Sequence, residues 1–306
     1  MFTEKIIVGK DTKYPLKGIL TLPDIATSCP AVVFVHGSGS SNMDEKVMKL
    51  TPFKDLAEGL VKHGIASVRY NKRSYAHAFK VLREKNLTVR EETIEDAILA
   101  AELLRQDPRI DPERIFIVGH SMGAMLAPRI DAEGGNFKGL ILMAGTPRRL
   151  EEVLKEQIDD MMQQMNLLVK KLSAKKLQKL LAGFDDLYQI SEEEAKRRKY
   201  GGGVNMYYFQ EMGLHPVSDY LEKTSKPMLI LQGEKDFQVK AEVDFKLYQE
   251  LLKDRDNVTF KLYENLNHVF VPSVYGNIMK AKQEYSVEQH IGEEVIGDMA
   301  DWILAQ

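Results

Sequence analysis

The chain of 306 residues has a single cysteine, Cys29, so no disulfide can form within it and an oxidising compartment would bring this fold no benefit. Cys29 lies in a loop-to-strand segment without a histidine partner or an activating turn, which argues against a catalytic thiol. The chain also lacks an apolar run near the roughly 18 residues of a membrane span. Its first residues lack the basic region and apolar core of a signal peptide. We therefore expect a cytoplasmic location.

An excess of charge of one sign is missing as well. The chain has 42 Lys and Arg residues against 45 Asp and Glu residues, a net charge of −3, and the two signs are mixed along its length. This balance predicts no binding to nucleic acid or to anionic membranes. No spacing of His, Cys and carboxylate residues is typical of a metal site, and we expect neither a metal nor another cofactor. The sequence leaves association into a homo-oligomer open.

Short runs rich in β-branched residues are the main structural signal. Several are apolar throughout, which is typical of strands buried on both faces of a parallel sheet. Helical patterns lie between them, and this alternation predicts an α/β fold with a mostly parallel central sheet flanked by helices. We expect the first two runs to form an antiparallel edge. The predicted strands are Lys5–Val8, Gly18–Leu22, Ala31–Val35, Ile65–Tyr70, Arg114–Val118, Gly139–Met143, Met228–Leu231 and Val258–Tyr263.

Four helical patterns alternate with these strands. The first covers Pro52–His63, and the second opens with the capping-box spacing of Thr88–Glu91 and ends before Pro108. The third covers Val239–Leu252. The fourth covers about Glu284–Leu304, at the C-terminus.

The stretch between the sixth and seventh predicted strands contains no strand pattern. Apolar residues over Leu150–Leu172 recur at spacings of three and four, which predicts an amphipathic helix with a break near Ser173. We therefore predict a helical cap, or lid, formed by residues 148–218. It is inserted into a core domain made of residues 1–147 and 219–306.

The strongest motif is Gly119-His120-Ser121-Met122-Gly123, which follows a predicted strand and precedes a helix-compatible stretch. It has the form G-x-S-x-G, in which a serine lies on a sharp strand-to-helix turn with its hydroxyl exposed. The glycines are needed because the turn leaves no room for side chains on either side. A serine hydroxyl is a poor nucleophile, so it needs a base and a third group that orients the base.

His268 and Asp236 are the best candidates for that base and that acid. His268 follows the last predicted strand in a loop, and Asp236 follows the strand that starts at Met228. The order Ser121, Asp236, His268 matches the chain order expected for this turn type. Glu234 remains an alternative acid. Among the other histidines, His120 is expected to be structural, His215 is a candidate for lining a pocket, and surface roles are expected for His63, His77 and His290.

Carbonyl chemistry also needs donors for an oxyanion. We expect the backbone N–H of Met122 to be one donor and that of Ser38, in the glycine-containing loop after the third strand, to be the other. The same loop has the pattern G-x-G-x-x-N, which lacks the third glycine of a dinucleotide-binding turn. No suitably placed acid follows the next strand, so a dinucleotide site is disfavoured.

These motifs together resemble the α/β-hydrolase superfamily over nearly the whole chain. The resemblance assigns His36-Gly37-Ser38-Gly39 to the oxyanion loop, Gly119–Gly123 to the nucleophile turn, Asp236 to the acid and His268 to the base. Within the superfamily the chain looks like the bacterial dienelactone-hydrolase-like and carboxylesterase branch. The segments that support this branch are Arg69–Arg73, Asp107–Asp111 and Gln232–Asp236. Dienelactone hydrolases use a cysteine nucleophile, so Ser121 points to ester chemistry instead.

The resemblance implies a serine carboxylesterase that acts on a small-molecule ester through an acyl-enzyme. We expect short-to-medium acyl esters first and aromatic acid esters second. A thioesterase or acyltransferase would use the same machinery, and a non-catalytic ligand-binding protein on a hydrolase scaffold is the alternative from another class. An oligopeptidase is disfavoured because no gating domain fits this length. The candidate substrate-contacting residues, which alternatively pack the cap on the core, are Gly37, His120, Met162, Tyr207, Tyr208 and His215.

Overall fold

The computed structural model describes residues 1–24, 27–84, 86–201 and 203–306. An eight-stranded sheet with the order β1-β2-β4-β3-β5-β6-β7-β8 forms its centre. All eight strands predicted from the sequence are present, several of them with longer ends. They are β1 (Phe2–Val8), β2 (Leu16–Leu22), β3 (Cys29–Val35), β4 (Ala66–Tyr70), β5 (Ile110–His120), β6 (Leu140–Met143), β7 (Met228–Gly233) and β8 (Val258–Tyr263).

The sheet is parallel apart from its first edge. β1 pairs antiparallel with β2, and β2 pairs antiparallel with β4, whereas all pairs from β4 to β8 are parallel. This confirms the predicted mostly parallel sheet and its antiparallel edge. Every residue of β3 is buried because helices cover both faces, which explains why this strand is apolar throughout.

Thirteen helices occur among the residues that the structure describes. Short 3₁₀ or π-type turns at Val61–His63, Arg90–Ile94, Asp131–Gly135, Ala241–Phe245 and Ile278–Lys280 extend or precede them. The helices are α1 (Pro52–Leu60), α2 (Arg73–Ala76), α3 (Ala78–Val81), α4 (Glu95–Arg105), α5 (Met122–Ile130), α6 (Leu150–Gln164), α7 (Leu167–Ala182), α8 (Glu192–Arg197), α9 (Met206–Gly213), α10 (Val217–Lys223), α11 (Lys246–Leu251), α12 (Ala281–Glu284) and α13 (Glu293–Ala305).

The core consists of two apolar layers, one on each face of the sheet. Alternate residues of β3 point to opposite faces, so Val33 packs with the α4 and α5 side and Phe34 with the α1 and α13 side. α1 and α13 also contact each other. None of the helices in the described part of the chain combines the length and the apolar character that crossing a membrane requires.

Helices α6–α10 occupy the chain between β6 and β7, as the absence of a strand pattern predicts. The division into a core and a cap at residues 148 and 218 stays a prediction, and the second boundary falls inside α10. The predicted break near Ser173 is wrong, because Ser173 lies within α7. The break is at Asn166, whose side chain accepts a hydrogen bond of 2.9 Å from the Val169 N–H and so caps α7.

The last helix also begins later than the sequence predicts. α13 starts at Glu293 rather than near Glu284, so His290 lies in a loop, where its Nδ1 is 3.0 Å from Asp55 Oδ1. Glu284 instead ends the short helix α12. Its buried carboxylate accepts hydrogen bonds from the N–H groups of Val274 and Tyr275, which ties this part of the chain to the loop that carries His268.

Candidate active site

Ser121 lies on a strained turn between β5 and α5. Its φ of 54° and ψ of −118° fall in a region that costs a non-glycine residue about 1–3 kcal/mol. The turn is held by hydrogen bonds from the Ser121 N–H to Met143 O (2.8 Å) and from the Ala124 N–H to Ser121 O (3.0 Å). The half-exposed serine therefore stands at the carboxyl end of the central strands, where α/β sheets bind ligands.

The two glycines of the motif allow a close approach of backbone to backbone. A Cβ on Gly123 would lie 2.1 Å from Val35 O, and one on Gly119 would lie 2.3 Å from Gly123 O. Neither neighbour is a flexible side chain, so neither can move away. The predicted reason for these glycines is therefore confirmed.

Gly123→Ala is expected to destabilise the protein by about 3 kcal/mol or more, the upper range for overpacking, because backbone atoms of β3 would have to move. The matched control is Gly297→Ala in α13, where a Cβ would meet open space. Removing a glycine from that helix should stabilise the protein by roughly 0.5–1 kcal/mol. Urea unfolding followed by circular dichroism measures both free energies. Equal stability of Gly123→Ala and the wild type would contradict the prediction.

His268 and Asp236 are joined by a short hydrogen bond. His268 Nδ1 lies 2.7 Å from Asp236 Oδ2, and His268 is only 5% exposed. Asp236 Oδ1 accepts the backbone N–H groups of Gln238 (2.7 Å) and Val239 (2.9 Å), so the carboxylate has a fixed orientation. With Nδ1–H donated to the carboxylate, the other ring nitrogen, Nε2, is left as an acceptor. The alternative acid, Glu234, is exposed and pairs with Lys235 at 3.2 Å.

The contact between the His120 and His268 rings brings Ser121 near His268. The rings of His120 and His268 are 4.8 Å apart between centroids, and Ser121 follows His120 directly in the chain. In the described part of the chain, no hydrogen bond links the Ser121 hydroxyl to His268. In enzymes that use a serine and a histidine together, the contact between them is often long without substrate and tightens when substrate binds.

Two backbone N–H groups next to Ser121 are candidates for an oxyanion hole. The loop after β3 passes close to the serine, since a Cβ on Gly37 would lie 3.1 Å from Ser121 Cβ. The N–H of Gly37 is occupied by Glu45 Oε1 at 2.7 Å. Among the residues described, the N–H groups of Ser38 and Met122 donate no hydrogen bond to the protein. Both are therefore available to a negatively charged oxygen.

His120 and Glu45 form a buried pair beside these groups. His120 Nε2 lies 2.8 Å from the carbonyl oxygen of His268, which can only accept, so Nε2 carries a hydrogen. His120 Nδ1 lies 3.0 Å from Glu45 Oε2. Burial works against both charges, but attraction to Glu45 raises the pKa of His120 and attraction to His120 lowers the pKa of Glu45. Nearby His36 stays neutral because burial lowers its pKa to about 4.

This pair should give the fold a stability that depends on pH. Glu45, whose pKa is lowered, contributes stability above its ordinary pKa of 4.5, and this is lost as pH falls through the folded value. His120, whose pKa is raised, contributes stability below its ordinary 6.5, and this is lost as pH rises through the folded value. The difference in Tm between the wild type and Glu45→Gln should therefore be largest between pH 4.5 and 6.5.

Thermal unfolding across pH measures that difference. Glu58→Gln is the control, because the Glu58 side chain is 44% exposed and its ion pair with Lys54, at 3.8 Å, is a surface pair of small energy. A Tm difference for Glu45→Gln that does not change with pH would contradict the predicted pairing.

The other predicted substrate contacts lie in different surroundings. Tyr208 is buried, and its hydroxyl donates to Glu92 Oε2 (2.7 Å) and lies 3.5 Å from Met122 Sδ. Tyr207 is half-buried beneath the Lys196 ammonium, and Met162 is half-exposed on α6. The exposed His215 faces Tyr220, its Nδ1 3.0 Å from the hydroxyl, and Glu211. Among the hydrogen bonds, ion pairs and ring contacts of the described residues, Tyr208 is the one of these four side chains that reaches the turn at Ser121.

Several supporting residues have weak or no signals in the sequence. Glu45 follows the oxyanion loop and Lys72 follows β4, and only these positions hint at a role. Gln232, whose Nε2 donates to Asp236 Oδ2 at 3.0 Å, and Glu284, which accepts from Asn267 Nδ2 at 3.0 Å, act through contacts that sequence spacing does not reveal. Across the described ranges, no group of three or more His, Cys, Asp or Glu residues is arranged to hold a metal ion.

Solved structures of esterases have the same fold. Est1E from Butyrivibrio proteoclasticus matches with a TM-score of 0.62 and 16% identity, covering 99% of each chain. The Pyrococcus furiosus esterase Pf2001 matches with a TM-score of 0.60 and 16% identity, covering 99% of this chain and 91% of that one. A further structure, with a TM-score of 0.57, is of Est1E with ferulic acid bound. At this identity the likeness concerns the fold alone.

Sequence comparison gives a nearer relative. Esterase EstD from Thermotoga maritima is 32% identical over 289 residues, which are 94% of this chain and 65% of EstD. The family model Hydrolase_4, described as serine aminopeptidase, S33, matches residues 27–271, from the loop before β3 to beyond His268. The superfamily predicted from the motifs is confirmed, and the dienelactone-hydrolase-like branch stays a prediction. The chain belongs to the Hydrolase_4 (S33) family of α/β hydrolases.

Proposed function

We propose that this protein is a serine esterase that hydrolyses carboxylic esters through an acyl-enzyme. Ser121 Oγ attacks the ester carbonyl while His268 Nε2 takes its proton, and Asp236 holds the imidazole in the required tautomer. The N–H groups of Ser38 and Met122 bind the oxyanion of the tetrahedral intermediate. His268 then gives the proton to the leaving alcohol. Water attacks the acyl-serine by the same route and releases the acid.

The observation that carries this proposal is the 2.7 Å bond between His268 Nδ1 and the buried Asp236, next to a serine on a strained turn. An imidazole in this tautomer presents Nε2 as a base, which is what a serine nucleophile needs. EstD and the structural neighbours are named as esterases, which supports the same reaction. Since the chain spans 65% of EstD, the activity of the longer protein supports this assignment without establishing it.

For the substrate we propose short-to-medium acyl esters, with aromatic acid esters as the second candidate. The apolar and aromatic side chains of α9, near the nucleophile turn, suit either acyl group. The ferulic acid bound to Est1E favours including aromatic esters in the test. Thioesters react by the same steps and remain an alternative.

The test is a panel of p-nitrophenyl acetate, butyrate and octanoate, methyl ferulate, an acyl-coenzyme A and alanine p-nitroanilide. We expect hydrolysis of oxygen esters and labelling of Ser121 by a fluorophosphonate, found by mass spectrometry. Preference for the coenzyme A thioester would favour the thioesterase, and cleavage of the anilide alone would favour a peptidase. A folded protein without any adduct would contradict the proposal and favour a binding protein.

A further inference from the structure

A buried lysine lies against the oxyanion loop. Lys72 follows β4, is 2% exposed, and donates from Nζ to the carbonyl oxygen of Gly37 at 2.9 Å. Lysine is among the residues least often buried, so a position of this kind calls for a specific partner. The backbone of Lys72 is itself held on this loop, since its N–H donates to Ser41 O at 3.1 Å.

The two backbone groups of Gly37 are held by buried side chains of opposite charge. Its N–H donates to Glu45 Oε1 and its carbonyl accepts from Lys72 Nζ. The peptide bond from Gly37 to Ser38 is planar and trans, so the Gly37 carbonyl and the Ser38 N–H point in opposite directions. Binding that carbonyl to Lys72 therefore sets the direction of the Ser38 N–H.

The loop needs such an anchor because the following residues have little support. Ser38, Gly39 and Ser40 are exposed, and Gly39 has a φ of +86° with no atom within 4 Å of a Cβ built there. A loop of this kind would otherwise sample several orientations of its N–H groups. The fixed Gly37 peptide removes this freedom at the position that binds the oxyanion.

The charge of Lys72 is balanced within the same site. Its Nζ lies 3.6 Å from Oε2 of Glu92, which is 6% exposed. Glu92 in turn accepts the hydroxyl of Tyr208, which belongs to α9. A buried ammonium is tolerated when a partner compensates its charge and its hydrogen bonds are made.

We propose that Lys72 is a positioning residue that directs the Ser38 N–H into the oxyanion hole, with Glu92 as its counterion. The inference rests on the proposed esterase function, because it concerns the oxyanion of that reaction. The competing explanation is that Lys72 only neutralises Glu92 and has no effect on the geometry of the loop. The two explanations differ in what happens when both charges are removed together.

The experiment compares Lys72→Met, the double variant Lys72→Met/Glu92→Gln and the control Lys62→Met. Lys62 is exposed and lies 3.5 Å from Glu293, away from the site. The primary readout is the rate constant for phosphonylation of Ser121 by a fluorophosphonate, because its phosphoryl oxygen uses the same N–H donors. The kcat and KM for p-nitrophenyl butyrate are the second readout, and thermal unfolding verifies that each variant is folded.

We expect Lys72→Met to lower the phosphonylation rate and kcat by roughly 10²-fold, as misplacement of a catalytic group does, with little change in KM. The double variant should keep this loss although it leaves no unpaired buried charge. It therefore carries the test if Lys72→Met alone fails to fold. Lys62→Met should react like the wild type.

Wild-type rates in either Lys72 variant would overturn the proposal, and recovery in the double variant would assign Lys72 to charge balance alone. Labelling of the wild type without hydrolysis of any ester would overturn the esterase function, while the ratio of labelling rates would still decide the role of Lys72. A wild-type protein that is not labelled would overturn both.

Discussion

Replacing Ser121 with alanine is expected to lower kcat for p-nitrophenyl acetate by about 10⁴- to 10⁶-fold, with little change in KM. The variant loses the nucleophile and keeps the Ser38 and Met122 N–H groups, so a small residual rate should remain. Alanine has the same Cβ as serine and meets the same steric limits at a φ of 54°. The Tm should therefore stay close to that of the wild type.

Ser286→Ala is the matched control, because the half-exposed Ser286 donates its hydroxyl to the local backbone oxygen of Lys282 at 2.6 Å. Its kcat should equal the wild-type value. Initial rates with p-nitrophenyl acetate, corrected for spontaneous hydrolysis, measure both variants. Retention of kcat in folded Ser121→Ala would remove the serine from the mechanism.

The second large effect is expected for Asp236→Asn, a loss of about 10⁴-fold in kcat. In the wild type, two backbone N–H groups donate to Oδ1, so the amide oxygen would take that place. The amide NH₂ would then face His268 Nδ1 and also the donor Nε2 of Gln232. His268 would have to accept at Nδ1 and carry its hydrogen on Nε2, where it cannot take the serine proton.

Glu234→Gln separates this effect from a general loss of charge near the site. Glu234 is exposed and pairs with Lys235, so we expect wild-type kcat and an unchanged pH profile for this variant. Asp236→Asn should regain part of its rate at high pH, where the imidazole tautomer matters less than hydroxide attack. A large loss in Glu234→Gln with normal turnover in Asp236→Asn would assign the acid to Glu234 instead.

The strands were predictable because a strand that is buried on both faces of a parallel sheet has a continuous run of apolar residues in the sequence. β3 and the stretch Ile115–Val118 of β5 are apolar in every position, which is typical of strands buried on both faces. The boundaries of the helices were harder to predict from the sequence. The first long helix of the segment between β6 and β7 ends at Gln164 rather than near Ser173, and the side chain of Asn166 caps the next helix.

The start of α13 illustrates a stronger limit. The apolar pattern predicts one helix from Glu284, whereas in the structure Glu284 ends α12 and its carboxylate accepts hydrogen bonds from Asn267, Val274 and Tyr275. These partners lie 9 to 17 residues away in the chain. A helical pattern in the sequence does not reveal contacts of this kind, so the role of Glu284 in holding this loop could be found only from the folded molecule.

The amino-acid sequence by itself determined the fold class and the glycine-flanked turn at Ser121, because strand burial and glycine sterics are local properties. It also supplied the proposed order of serine, acid and histidine from the spacing of the motifs. Tertiary structure decided which carboxylate faces His268, since Asp236 and Glu234 lie two residues apart and differ in burial. It also decided that Glu45 and Lys72 hold the two backbone groups of Gly37. Those contacts join side chains 8 and 35 residues away to one peptide, and only the folded chain brings them together.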